Sequence, residues 1–183
     1  MLLIIVVAFI ACKNKTTPIN HNDSLISKTG SEQLEPYYPI TQYIHDQITY
    51  VDSTPLAIEK ITFINNKKID SVIIDHNEFH QLAEEFLKPD LNDKNIKSLY
   101  VENSYTDLST NSITFNYTAK DPNLELQQAD VLLNPENNKV KNVMCRKIRH
   151  NGDTSIRMNG LWKHNMNFQI NYMIQSPTEL QTK

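Results

Sequence analysis

Residues 139–175 read KVKNVMCRKIRHNGDTSIRMNGLWKHNMNFQINYMIQ, and their pattern decides the fold. Asn151-Gly152 is a hairpin signal, because a type I′ turn needs two residues that tolerate positive φ. Beyond it, Ile156, Met158 and Trp162 alternate with polar residues, and Met166, Phe168, Ile170, Tyr172 and Ile174 do the same. Alternation with period two describes strands with one apolar face and one wet face. Hairpins in series then describe an antiparallel meander whose register is held by that alternation.

The same pattern extends backward. Ile113, Phe115, Tyr117 and Ala119 alternate, and Asp121-Pro122-Asn123 turns the chain. The strand-like runs Leu124 to Asn134 and Lys139 to His150 flank the turn Pro135-Glu136-Asn137-Asn138. Between Pro89 and Ser112 no clear periodicity is visible. Earlier still, Leu56 to Ile64 and Lys68 to Ile74 are rich in β-branched residues and flank Asn65-Asn66-Lys67, which predicts a further hairpin. Two helical patterns bracket it. Pro39 opens one in which Ile40, Tyr43, Ile44, Gln47, Ile48 and Val51 recur at three- and four-residue steps. The other follows Asp75, whose spacing to Glu78 makes a capping box, places Phe79, Leu82, Ala83, Phe86 and Leu87 on one face and stops at Pro89. The expected fold is α+β: an antiparallel sheet of about six to eight strands, with meander and hairpins, and two helices packed on one face.

The amino terminus reads differently. Leu2 to Ala11 (LLIIVVAFIA) is an uninterrupted apolar run, about half of the roughly 20 residues a helix needs to cross a bilayer but long enough for the core of a signal peptide. It ends at Phe9-Ile10-Ala11-Cys12, a tetrapeptide that resembles the lipobox of bacterial lipoproteins. The resemblance covers the first dozen residues. It implies that residues 1–11 are a signal peptide removed before Cys12, that Cys12 is acylated, and that lipid on Cys12 attaches the protein to a membrane. Lys13, in place of the aspartate that favours inner-membrane retention in that class, implies the outer membrane, facing the periplasm. Residues 12–36, rich in Thr, Asn, Ser and Lys, read as the attachment site and a flexible tether spanning very roughly 25 to 30 Å. Residues 37–183 then form a single domain, large enough to bury a core without disulfide or metal. With Cys12 acylated, Cys145 is left as a lone thiol, expected to be buried and inert.

The formal charge of -3 gives no global attraction to nucleic acid, and none is expected as a partner. Gly30, Gly152 and Gly160 are the only glycines, and their spacing makes no phosphate-cradling loop. No cofactor is expected. The charge is unevenly distributed: residues 69–93 carry seven acids against Lys88, and residues 139–164 carry seven bases against Asp153. By strand parity Lys139, Lys141, Lys147 and Arg149 share one face, interrupted at Val143 and Cys145, and Arg157 and Lys163 share the polar face of the next strand. A basic sheet face is the expected binding surface, for an anionic envelope component or a protein partner. His76 and His80 in HNEFH are the only metal candidates, at an i, i+4 spacing without a third ligand placed by sequence. The expectation is a non-enzymatic binding or structural module of the cell envelope. Its alternatives are a carrier of an apolar ligand in a curved-sheet cavity, and a metal-dependent hydrolase using His76 and His80.

Overall fold

A computed structural model describes residues 2–9, by their backbone, and residues 38–176. In chain order the elements are β1 (Leu2–Phe9), α1 (Ile40–Ser53), β2 (Ile58–Ile64), β3 (Lys67–Ile74), α2 (His76–Ala83), α3 (Lys94–Lys97), β4 (Tyr100–Asp107), β5 (Ser112–Ala119), β6 (Leu126–Leu133), β7 (Val140–Asn151), β8 (Thr154–Lys163) and β9 (Asn167–Gln175). A single turn of 3₁₀ helix, Glu84–Phe86, extends α2. The sheet order is β3-β2-β1-β9-β8-β7-β6-β5-β4, antiparallel throughout. Apart from β1, it consists of the β2–β3 hairpin and a six-stranded meander from β4 to β9. The expected α+β architecture, with two main helices on one face of an antiparallel sheet, is what forms.

Local chemistry explains the elements. The Asp75 carboxylate accepts from the Glu78 backbone N–H at 2.8 Å, capping α2. The Glu78 side chain does not close the box; it pairs with Lys60 on β2 instead. Asn65 and Asn66 take φ of 48° and 64°, the left-handed pair that a two-residue hairpin turn requires. The later hairpin turns on Gly152-Asp153, not on Asn151-Gly152: Asn151 pairs with Thr154, and only Gly152 has positive φ, 57°. That is the pattern of a type II′ turn, with glycine first.

The apolar parity named in the sequence faces the helices. Ile40, Ile44, Ile48 and Val51 of α1 and Phe79 and Ala83 of α2 are buried against Val131, Val143, Met158, Trp162, Phe168 and Ile170. The rings of Phe79, Phe86, Trp162 and Phe168 form the centre: Trp162 stacks on Phe168 at 4.9 Å, and Phe86 meets Trp162 edge-on at 5.3 Å and 86°. Such pairs add on the order of 1 kcal/mol each beyond their buried area. Gly160 makes this approach possible, since a Cβ there would sit 2.8 Å from Phe86 Cε1 and 2.7 Å from Cys145 Sγ. Gly160→Ala is therefore expected to overpack the core and cost about 1–3 kcal/mol, read as a lower urea midpoint with an unchanged slope. A variant as stable as the parent would show that the Phe86 ring is free to give way.

Candidate functional site

The helices close one side of the sheet. The space left under them, lined by Ile40, Phe86, Leu126, Ala129 and Val143 among others, amounts to about 20 Å³, room for about one water. That space is too small for an acyl chain; at the edge of the helical layer Pro89, Ile96, Leu99, Tyr100, Leu124 and Leu126 border a depression of about 260 Å³.

On the same covered side lies a charged cluster. Lys147, 2% exposed, reaches Glu85 of the 3₁₀ turn at 3.2 Å. Arg149 grips Glu85 with both terminal nitrogens, at 2.9 and 2.7 Å, and also contacts Glu125 at 2.8 Å. The Tyr172 hydroxyl donates to Glu85 at 3.0 Å. Burial by itself raises the Glu85 carboxyl, but the Arg149 hydrogen bonds and the charges of Lys147 and Arg149 outweigh it and hold the group at about 2. These bases are structural ties.

The sequence expectation of one basic face is thereby corrected. Arg146 pairs with Asn159 and Lys147 with Met158, but the register shifts twice along β6 and β7, at Gln127 and at Lys141. Each shift inserts a bulge, and the one at Lys141 leaves both Val140 and Val143 buried, so Lys139 and Lys141 fall out of parity with the bases that follow. Lys147 and Arg149 take the helix-covered side by plain alternation with Val143 and Cys145, since β7 pairs with β8 without a break from Asn142 to Asn151. Lys141 is the bulged residue, and its ammonium donates to the carbonyls of Thr110 at 2.8 Å and Asn111 at 3.3 Å. Lys139 precedes β7 in the turn, while Arg157 and Lys163 stand on the uncovered side. Cys145 packs beside Gly160, and burial pushes its thiol up to about 12, well away from a reactive thiolate. Cys12 and the 12–36 tether lie outside the described residues.

His76 and His80 stand on the first turns of α2, and both turn to a residue the sequence did not nominate. His76 Nδ1 and His80 Nε2 each lie 2.9 Å from Asp52 Oδ1 at the end of α1. The three side chains clasp the two helices together. Among the described residues no group of three or more His, Cys, Asp or Glu is disposed to hold a metal.

What remains open is the other side of the meander. Its cross-strand register lines up Gln128, Arg146, Asn159 and Asn171 from β6, β7, β8 and β9 in one row, with Thr118 of β5 at the end. The neighbouring row holds Asn116, Asp130, Met144, Leu161 and Gln169. Arg146 donates to Gln128 Oε1 at 2.8 Å, Gln128 Nε2 to Asp130 at 2.8 Å, and Gln169 Nε2 to Asn171 at 3.2 Å. A depression of about 270 Å³ lies over these side chains, and a second of about 410 Å³ is bounded by Gln127, Arg146, Ile148, Arg157 and Asn159. Amide groups offer donors and acceptors in fixed positions, and the arginines add planar cationic donors suited to carboxylate or phosphate oxygens. Sequence parity alone did not single out Arg146 or the amides. Their signal was present in the polar positions of β8 and β9, where Asn159, Gln169 and Asn171 recur opposite the core residues.

Comparison with protein-family models, with curated proteins and with solved structures found no match. Among the described residues no helix is long and apolar enough to cross a membrane.

Two outcomes are expected of the buried cluster. Glu85→Ala strands the charge of Lys147 and should cost about 3–5 kcal/mol in chemical denaturation, much of it recovered when Lys147→Met is added. Because the folded carboxyl lies below its ordinary 4.5, its contribution is complete above that pH and is lost as pH falls toward about 2. Glu85→Gln should flatten that part of the stability profile measured from pH 5 to pH 2; an unchanged slope would remove Glu85 from the acid response.

Proposed function

We propose that the chain is a lipid-anchored protein of the bacterial cell envelope, held through Cys12 at the outer membrane facing the periplasm. Its domain acts as a non-enzymatic binding module, taking an anionic, hydrogen-bonding envelope component on the uncovered face of the sheet. The anchor rests on the lipobox-like Phe9-Ile10-Ala11-Cys12 and on the apolar run before it. The binding role rests on one observation: the space between α1, α2 and the sheet is nearly filled, whereas the other side presents Arg146 and Arg157 among amides over two depressions.

The Arg157 side chain has no hydrogen bond or ion pair among the described residues, and Arg146 is held by an uncharged partner, Gln128. Their charges stay free for an anion. Lys147 and Arg149 are already neutralised by Glu85 and Glu125. The proposed binding surface therefore keeps Arg157 and Lys163 from the sequence reading, adds Arg146 and leaves out the tied pair.

Two measurements test this reading. A Cys12→Ser variant should leave the membrane fraction for the soluble one; continued sedimentation with membranes would refute lipid attachment there. An Arg146→Glu, Arg157→Glu double variant should bind vesicles containing anionic lipid at least about tenfold more weakly at low salt, given about 1 kcal/mol per base near such a surface. Binding equal to the parent's would sink the role of this face.

A further inference from the structure

Strand β1 sits between β2 and β9 and pairs with both. Seven residue pairs join it to β2, from Leu3 with Ile64 to Phe9 with Ile58, and seven join it to β9, from Leu2 with Met173 to Ala8 with Asn167. On the anchor reading, cleavage before Cys12 removes this strand. We propose that the groove it leaves is a strand-acceptor site, and that the processed domain binds an extended, uncharged, β-branched segment of a partner protein there, antiparallel to both walls. The inference rests on that reading of Cys12.

Three features support an open groove. First, β2 and β9 run parallel to each other, since each is antiparallel to β1; they stand about two strand spacings, roughly 9.5 Å, apart. Second, the β2–β3 hairpin is fastened to the domain by other means. Ile58 and Ile74, paired across the hairpin, are 2% and 7% exposed in the core, and Lys60 of β2 is ion-paired with Glu78 of α2. Closing the groove would drag the hairpin sideways by one strand spacing and pull both ties apart. Third, without β1 both walls present unpaired backbone N–H and C=O groups, which is the template for strand addition. The occupant's chemistry is set by the segment that fills the groove in the precursor: LLIIVVAF, eight residues without a charge or a polar side chain.

Hydrogen–deuterium exchange tests this on two forms of the chain, 1–183 and 12–183 with Cys12→Ser. In the full chain the amides of β2 and β9 should be protected. In the processed chain those facing the groove should exchange at least about tenfold faster while β5 to β8 stay protected. A synthetic peptide carrying residues 2–9 between lysine pairs should restore protection at one peptide per chain, and the same peptide with proline in its centre should not. Equal protection of β2 and β9 in the processed chain without peptide would mean that the groove closes. Loss of protection throughout β5 to β8 would make residues 2–9 a permanent core strand. Protection that appears only in a dimer of the processed chain would give the groove to a second copy. Any of the three overturns the proposal. The mass of the chain isolated from native membranes decides cleavage by a separate route, so failure of the anchor reading is distinguishable from failure of the acceptor.

Discussion

The carboxylate of Glu85 fastens the helical layer to the sheet. It lies on the 3₁₀ turn that extends α2, and it is gripped by Lys147 and Arg149 from β7 and by Tyr172 from β9. A lysine that is 2% exposed can keep its charge in such a place only if an anion stays beside it. The cluster therefore fixes where the end of α2 must sit. Once it sits there, Phe86 lies on the backbone of Gly160 and the four aromatic rings can close over the centre of the sheet. The interaction adds little net stability by itself, since desolvating the charges offsets much of their attraction. What it supplies is position.

Position on one side determines what the other side is free to do. With Val131, Val143, Met158, Trp162, Phe168 and Ile170 committed to the helices, the opposite face carries amides, Arg146, Asp130 and Arg157 beside a few apolar residues such as Met144, Ile148 and Leu161. A sheet face of this kind is rigid, because its backbone is held by the ladders on either side, so its donors and acceptors keep fixed spacing. Fixed spacing suits recognition of a polar partner. The separation of roles also explains why the bases, though clustered in sequence, do not act together: some hold the fold and the rest face solvent.

The amino-terminal strand links the fold to the history of the chain. Leu2–Phe9 occupies an interior place in the sheet, and on the proposed anchor reading it belongs to the segment removed before Cys12. A leader core and an interior strand ask for the same composition, a short run of aliphatic and β-branched residues without charge. The hairpin β2–β3 also has ties of its own to α2 and the core, through Lys60, Ile58 and Ile74.

Much of the architecture was legible in the residues. Pro39 and the spacing of Ile40, Ile44, Ile48 and Val51 defined α1, Asp75 defined the start of α2, and paired asparagines and Gly152 defined hairpins, because these depend on local geometry alone. Strand β4 was not legible. Its sequence, YVENSYTD, covers an edge strand that is exposed along most of its length, so it carries no apolar alternation to read. The bulges at Gln127 and Lys141 were equally silent. An extra residue changes no composition, yet it reverses which side the next side chains take, and the one at Lys141 parts Lys139 and Lys141 from Lys147 and Arg149, which alternate with Val143 and Cys145 on the buried side. The union of Asp52 with His76 and His80 likewise depends on how α1 crosses α2. By itself the sequence determined α1, α2, the later hairpins and the α+β class, since periodicity and turn chemistry act within a few residues, but not β1 as a strand, α3 or β4. Only the tertiary structure decided which charges are spent inside and which face solvent, because that depends on register summed across the sheet.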